Sequence, residues 1–229
     1  MPPAAAFSLA GLPVEPDPSG ALWIERERAL VVADLHLEKG SAFAERRVLL
    51  PPFDTAATLA RLAVVIARRN PRVVVALGDS FHDIRAGGRM SDVDRDGLRA
   101  LTAGRDWIWI AGNHDPAPPT GLGGEPLAEM RLGPLTLRHE PGGALEADGG
   151  EVAGHLHPAA RVWSRSGSTR RRCFVEDAIR CVMPAFGAYA GGFNIRDAAF
   201  AGLFARPARA HALGAGRVYS VPLSRCAAD

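Results

Sequence analysis

Short apolar runs recur along the chain, and each stops at a cluster of polar side chains. They are "ALVVA" (29–33), "RVVVAL" (72–77), "WIWIA" (107–111), "LTLR" (135–138) and "EVAG" (151–154). Their brevity and their β-branched and aromatic content predict buried strands. Between the first two, "DTAATLARLAVVIARRN" sets Leu59, Leu62, Ala63, Ile66 and Ala67 on one face at helical spacing, with Asp54 as the expected cap. A second helix is expected from Ser91 in "SDVDRDGLRALTAG", with acids in its first turn and Gly104 after its last. Strand and helix therefore alternate over residues 29–111, the pattern of an α/β layer with parallel strands.

Beyond residue 130, Gly-, Pro- and Arg-rich turns separate "CFVED", "IRCVMPAF" and "GRVYSVPL". This predicts a largely antiparallel half that stacks on the first. No internal repeat is visible. "PAPPTGLGGEP" (116–126) and "EPGGALEADGG" (140–150) read as loops rather than linkers, so residues 1–229 are expected to form one domain.

Composition adds bounds rather than direction. With 47% hydrophobic and 23% charged residues the chain can build a substantial core. A formal charge of +2 permits a nucleic-acid partner without demanding one. The run Arg170-Arg171-Arg172 suits a solvated hairpin tip or a contact to a phosphate backbone. Three cysteines without CxxC spacing argue against a disulfide framework or a thiolate zinc site and fit a reducing cytoplasm. The first twenty residues lack the charged start and apolar core of a signal peptide. No run approaches the ~20 apolar residues that cross a bilayer, so a cytoplasmic protein without a membrane partner is expected.

The chemistry lies at the strand ends. Six of the seven histidines fall in "DLH" (34–36), "GDSFHD" (78–83), "GNHD" (112–115), "RHE" (138–140) and "GHLHP" (154–158); His211 stands apart. Residues two apart on a strand share a face, so Asp34 and His36 are expected to reach one point, as are His155 and His157. Gly78 and Gly112 are expected to turn the chain so that Asp79 and Asn113 face the same crevice. Carboxylates, imidazoles and an amide oxygen without thiolate suit Mn, Fe or Zn in a five- or six-coordinate site. Two carboxylates facing two divalent ions leave net positive charge for a phosphoryl oxygen, which points to two-metal hydrolysis of a phosphoester.

In this order the five motifs resemble those of the calcineurin-like metallophosphoesterases, D-x-H, G-D-x-x-(D/H), G-N-H-(D/E), H and G-H-x-H. The resemblance implies an α/β fold of two facing mixed β-sheets flanked by helices. It implies two divalent metal ions, Mn²⁺ first with Fe or Zn as substitutes. Asp34, His36 and His157 would hold one, Asn113, His139 and His155 the other, with Asp79 bridging them. His114 matches the motif histidine that contacts the scissile phosphate and assists the leaving group. His82 stands where the protein phosphatases have Asp, and "GDSFH" is closer to the G-D-x-F-H form of repair nucleases in the superfamily. "DLHLEKG", "RHEP" and "MPAFGAYAGGFN" (183–194) also resemble the ligase-associated DNA damage response enzymes, small bacterial endonucleases or phosphodiesterases. That likeness implies functional association with an ATP-dependent DNA ligase, a helicase and an exonuclease.

Several residues keep two readings. Lys39, the only lysine, could contact a substrate phosphate or pair with Glu38. His82 could orient His114, contact the phosphate, or simply pack. Arg85 and Arg89 in "IRAGGRM" are further phosphate candidates, and "PAFGAYAGGFN" is either a substrate-shaping loop or a tight backbone crossing. Trp107 and Trp109 read as core and His211 as surface. The activity expected is a DNA endonuclease cutting single strands in bacterial repair. The alternatives are hydrolysis of small nucleotide diesters or monoesters, or a non-catalytic scaffold, although a scaffold should have lost ligands and none is missing.

Overall fold

The computed structural model describes residues 6–164 and 167–229. The first sheet runs in chain order through β1 (Phe7–Leu9), β2 (Leu12–Pro16), β3 (Leu22–Ile24), β4 (Ala29–Val32), β5 (Val73–Leu77), β6 (Asp106–Ile110) and β7 (Glu125–Leu127). From β4 to β7 the strands are parallel, as the strand and helix alternation predicts, while β1 to β3 form an antiparallel extension. Two principal helices, α2 (Asp54–Arg69) and α4 (Asp92–Thr102), cover one face, joined by short α1 (Lys39–Glu45) and α3 (Ala86–Arg89).

The second helix begins where expected, with Ser91 as its cap, accepting the Asp94 N–H at 3.1 Å. Asp54 does not cap α2. It is already inside the helix, and its carboxylate instead accepts the Gly40 N–H at 3.1 Å, tying α1 to α2.

The second sheet comprises β8 (Glu129–Leu132), β9 (Leu135–Arg138), β10 (Gly150–Ala153), β11 (Ala159–Ser164), β12 (Gly167–Glu176), β13 (Arg180–Val182), β14 (Arg209–Leu213), β15 (Val218–Pro222) and β16 (Cys226–Ala227). It is less antiparallel than its turns suggest, because β10 lies parallel to both β9 and β13. A parallel pair needs a crossover, and the loop 139–149 supplies it, returning the chain to the edge where β9 began. Arg170–Arg172 lie within β12, paired with β11, rather than at the hairpin tip; residues 165 and 166 of that turn are outside the described residues.

Alternation places the cores. Val31, Val75 and Ile108 face the second sheet and meet Leu137, Val152, Phe174 and Met183. Leu30, Val74, Trp107 and Trp109 face the helices and meet Leu59, Leu62, Ile66 and Leu98. Burial on both faces explains why these strands read as continuous apolar runs. Both tryptophans are core residues, as expected. His211 is not on the surface. It is buried on β14, with Nε2 3.0 Å from Glu176 Oε1 and its ring stacked on Phe7, a buried polar group that has found its partner. All three cysteines are free and buried. Among the described residues no helix is long and apolar enough to cross a membrane.

Candidate metal centre

The C-terminal ends of β4, β5, β6, β9 and β10 meet at one edge of the two sheets, and every motif begins there. Delivery of the side chains differs from the strand-face expectation. β4 ends at Val32, and Asp34 (φ 53°) and His36 (φ 44°) sit in left-handed backbone, as do Asp79 (φ 45°), His155 (φ 68°) and His157 (φ 45°). With Glu38 these make six of the eleven non-glycine residues with positive φ among those described, a concentration marking where the chain stores strain. Asp and His tolerate this region better than most residues. The conformation is held by backbone bonds to the neighbouring loop, His36 N–H to Asp79 O and Leu37 N–H to Ser80 O, both at 2.9 Å. Gly78 does turn the chain (φ +70°). Gly112 has another use, since a Cβ there would overlap Asp79.

Two clusters result. In one, His36 Nε2 lies 3.3 Å from His157 Nε2, which lies 3.3 Å from Asp34 Oδ1. In the other, His139 Nε2 lies 3.2 Å from His155 Nδ1, 2.9 Å from Asn113 Oδ1 and 3.4 Å from Asp79 Oδ1. Asp79 stands between them, its Oδ2 4.0 Å from His36 Nε2. Each histidine-containing acid group is compact enough to hold a metal ion: Asp34, His36 and His157, and Asp79, His139 and His155.

The donor chemistry favours a cation at both points. His139 Nδ1–H donates to the Leu77 carbonyl at 2.9 Å, so its Nε2 presents a lone pair to His155 and Asn113. Burial, aided by the neighbouring His157 and Lys39, pushes the His36 imidazole down to about 2, leaving it neutral. Imidazole and carboxylate donors converging at this spacing are what a divalent ion with bonds of about 2.0–2.2 Å requires of its ligands. Asp34 is further fixed by accepting the His155 N–H at 3.0 Å.

Residues 27–171, more than half of the chain, match the calcineurin-like phosphoesterase model. The chain belongs to the calcineurin-like phosphoesterase family. A Pseudomonas putida nuclease, MPE, is similar over 95% of this chain and 100% of its own, with 26% identity and a TM-score of 0.72. The Escherichia coli phosphoesterase YfcE aligns with 85% of the chain at 13% identity and a TM-score of 0.42. No curated protein sequence matches the chain. As a member of this family the protein is a metal-dependent phosphoesterase, and its two acid and histidine clusters are the candidate sites for the metals.

Around the phosphoesterase centre, His114 is half-exposed at its rim. Its Nδ1 lies 2.9 Å from the His82 carbonyl oxygen, an acceptor that fixes the proton on Nδ1 and turns Nε2 toward Asp79 Oδ2, 3.9 Å away. His82 thus orients His114 through its backbone, and its ring also stacks on it at 5.5 Å. Burial and the nearby Lys39 push the His82 imidazole down to about 4. Asp115 ends the GNHD motif. It is buried behind the ligands and accepts the Phe81 N–H at 2.9 Å, clamping loop 79–81 to loop 112–115; burial pushes its carboxyl up to about 8. An acid directly after Asn113-His114 was the available signal.

Lys39 does not pair with Glu38. The Glu38 carboxylate accepts from Ser41 Oγ (2.6 Å) and Thr55 Oγ1 (3.0 Å), while the Lys39 charge reaches His36 and His82. Arg89 is fully engaged as a brace, with Nη2 2.9 and 3.0 Å from the Asp83 oxygens and Nε 3.0 Å from Ser41 Oγ. Arg85 is exposed and meets Glu45 at 2.9 Å. Residues 185–190 of the 183–194 segment form a tight backbone crossing. Phe186 and Gly187 N–H donate to the Ala33 and Asp34 carbonyls, and Arg172 donates to the carbonyls of Ala185, Ala188 and Ala190.

A pH dependence follows from His36. Between its ordinary 6.5 and about 2 only the unfolded chain takes up the proton. Stability of the metal-free protein is therefore fully present above 6.5 and falls on acidification, by up to about 1.4 kcal/mol per pH unit. Urea unfolding of chelated protein at pH 7 and at pH 5.5 should show the loss, and His36→Asn should reduce the slope. An equal slope in both proteins would contradict this assignment.

Proposed function

We propose that the protein is a two-metal phosphodiesterase acting as a DNA endonuclease on single strands in bacterial DNA repair. The observation that carries the reading is the pair of imidazole and carboxylate clusters with Asp79 between them, beside the half-exposed His114. The similarity to a nuclease over nearly the whole chain favours a polynucleotide substrate.

In this reading Asp34, His36 and His157 would hold one divalent ion and His139, His155 and Asn113 the other, with Asp79 available to both. Mn²⁺ suits the oxygen and imidazole set, with Fe or Zn as substitutes. When bound, the ions supply Lewis acidity that activates water near neutral pH and offsets phosphoryl charge. The chain's own groups do the rest. His114, steadied by the His82 carbonyl, offers Nε2 to the phosphate and, as imidazolium, a proton to the departing oxygen. Lys39 adds positive charge beside the same crevice, and Arg85 lies further out as a weaker phosphate contact.

Cytoplasmic residence is part of the proposal, supported by three buried, unpaired thiols. So is functional association with an ATP-dependent ligase, a helicase and an exonuclease, which rests on the sequence resemblance. The test is incubation of the protein, with Mn²⁺ and separately with chelator, on circular single-stranded DNA and on a small phosphodiester. Metal-dependent cutting of the circle is expected. An intact circle with brisk hydrolysis of the small ester would move the function to small nucleotides.

A further inference from the structure

The β11–β12 ribbon carries an unassigned surface next to one metal cluster. In its antiparallel register Ala159 pairs with Arg172, Arg161 with Arg170, and Trp163 with Ser168, so these six side chains share one face. Trp163 is 66% exposed, and Phe193, whose carbonyl accepts the Ala159 N–H at 2.8 Å, is 51% exposed. Protein burial accounts for neither ring.

The cations of this face are already arranged around an anion. The Asp229 carboxylate lies 3.3 Å from Arg161 Nε and 3.3 Å from Arg170 Nε, on the exposed side of the ribbon. Arg170 Nη2 also donates to the Gly192 carbonyl at 2.6 Å, which holds its guanidinium in place. Beside it opens a cavity of about 320 Å³ lined by Arg170, Phe193, Asn194, Arg196, Asp197 and Asp229. Arg172 is committed to three backbone carbonyls and takes no part.

The ribbon adjoins the metal centre along the chain. Ala159 follows His157 by two residues, and Gly192 packs against the His157 carbonyl. From Ala159 to Trp163 a strand advances about 13 Å. A pair of guanidiniums with exposed rings nearby, beside a phosphoester centre, fits a sugar-phosphate backbone whose bases are free to stack.

We propose that Arg161, Arg170 and Arg196 bind phosphates, and Trp163 and Phe193 stack bases, of the single-stranded DNA flanking the cleaved bond. The inference rests on the nuclease reading and specifies where the polymer lies. A phosphate takes the place of the Asp229 carboxylate, and the surface sets preference for polymer over small ester without touching the reacting atoms.

Trp163 offers a direct readout, because Trp23, Trp107 and Trp109 are buried. Adding a thymidine oligonucleotide to chelated protein should quench its fluorescence, while blunt duplex should not, its bases being already stacked. Trp163→Ala should lose the quench. The double variant Arg161→Gln with Arg170→Gln should bind at least about tenfold more weakly, its salt slope reduced by about 0.7 for each lost contact. With Mn²⁺ restored, both variants should show a raised KM on circular single strands and an unchanged kcat on a small phosphodiester. If the wild type cuts the circle and the variants match it in binding and KM, this inference falls alone. If the wild type hydrolyses the small diester but neither binds nor cuts the strand, the nuclease reading falls with it.

Discussion

Replacing His114 by alanine should lower phosphodiester hydrolysis by about 10²–10⁴-fold, the range for a positioned acid or base, with metal content unchanged. The expectation follows from where the ring is held. Its Nδ1 faces the His82 carbonyl at 2.9 Å, and its Nε2 stands 3.9 Å from Asp79 Oδ2, outside both compact ligand groups. Half-exposed, the side chain carries no core packing, so the loss should appear in kcat rather than in stability. The deficit should shrink on a diester with a good leaving group, which needs no proton. A purely structural histidine would show no such dependence. Metal analysis beside kinetics checks both halves, and undiminished activity would remove His114 from the mechanism.

Asp79→Ala should be more damaging, because one carboxylate serves both clusters. Its Oδ1 lies 3.4 Å from His139 Nε2 and also accepts the His114 backbone N–H at 2.9 Å, while Oδ2 faces His36 and His114. Losing it removes a ligand, a negative charge and the anchor of the 112–115 loop together. Metal content should fall from two ions per chain to one or none. Hydrolysis should drop by about 10³-fold or more, since Lewis-acid stabilisation amounts to several kcal/mol and each 1.36 kcal/mol is a factor of ten. Circular dichroism of the variant separates this outcome from unfolding. A variant that kept two ions and near-normal rates would show that the clusters are independent and that Asp79 bridges nothing.

The sequence made the site's membership legible, but not the way the chain builds it. Apolar runs on β4, β5, β6, β9 and β10 located the strands because burial on both faces leaves no ambiguity in so short a segment. Residue type pointed to the candidate ligands, since acid, imidazole and amide recur directly after those strands. What stayed hidden depends on backbone conformation and on pairing. The spacing of Asp34 and His36, or of His155 and His157, looks like strand alternation, yet left-handed residues produce the same convergence by another geometry. β1 to β3 went unread because Pro and Gly break their pattern. The parallel placement of β10 depends on which strand lies beside it, which no local pattern encodes. His211 looked solitary only because Glu176, its partner, sits on a neighbouring strand. Arg85 and Arg89 looked alike in sequence and differ in structure, one exposed beside Glu45 and one locked against Asp83 and Ser41.

A crystal structure of the protein grown with Mn²⁺, with anomalous scattering recorded for the metal, tests the central claim most directly. Two peaks about 3.5–4 Å apart are predicted. One should be ligated by Asp34, His36 and His157, the other by Asn113, His139 and His155, with Asp79 touching both. A single peak, or none at these residues with metal in excess, would contradict the two-metal assignment.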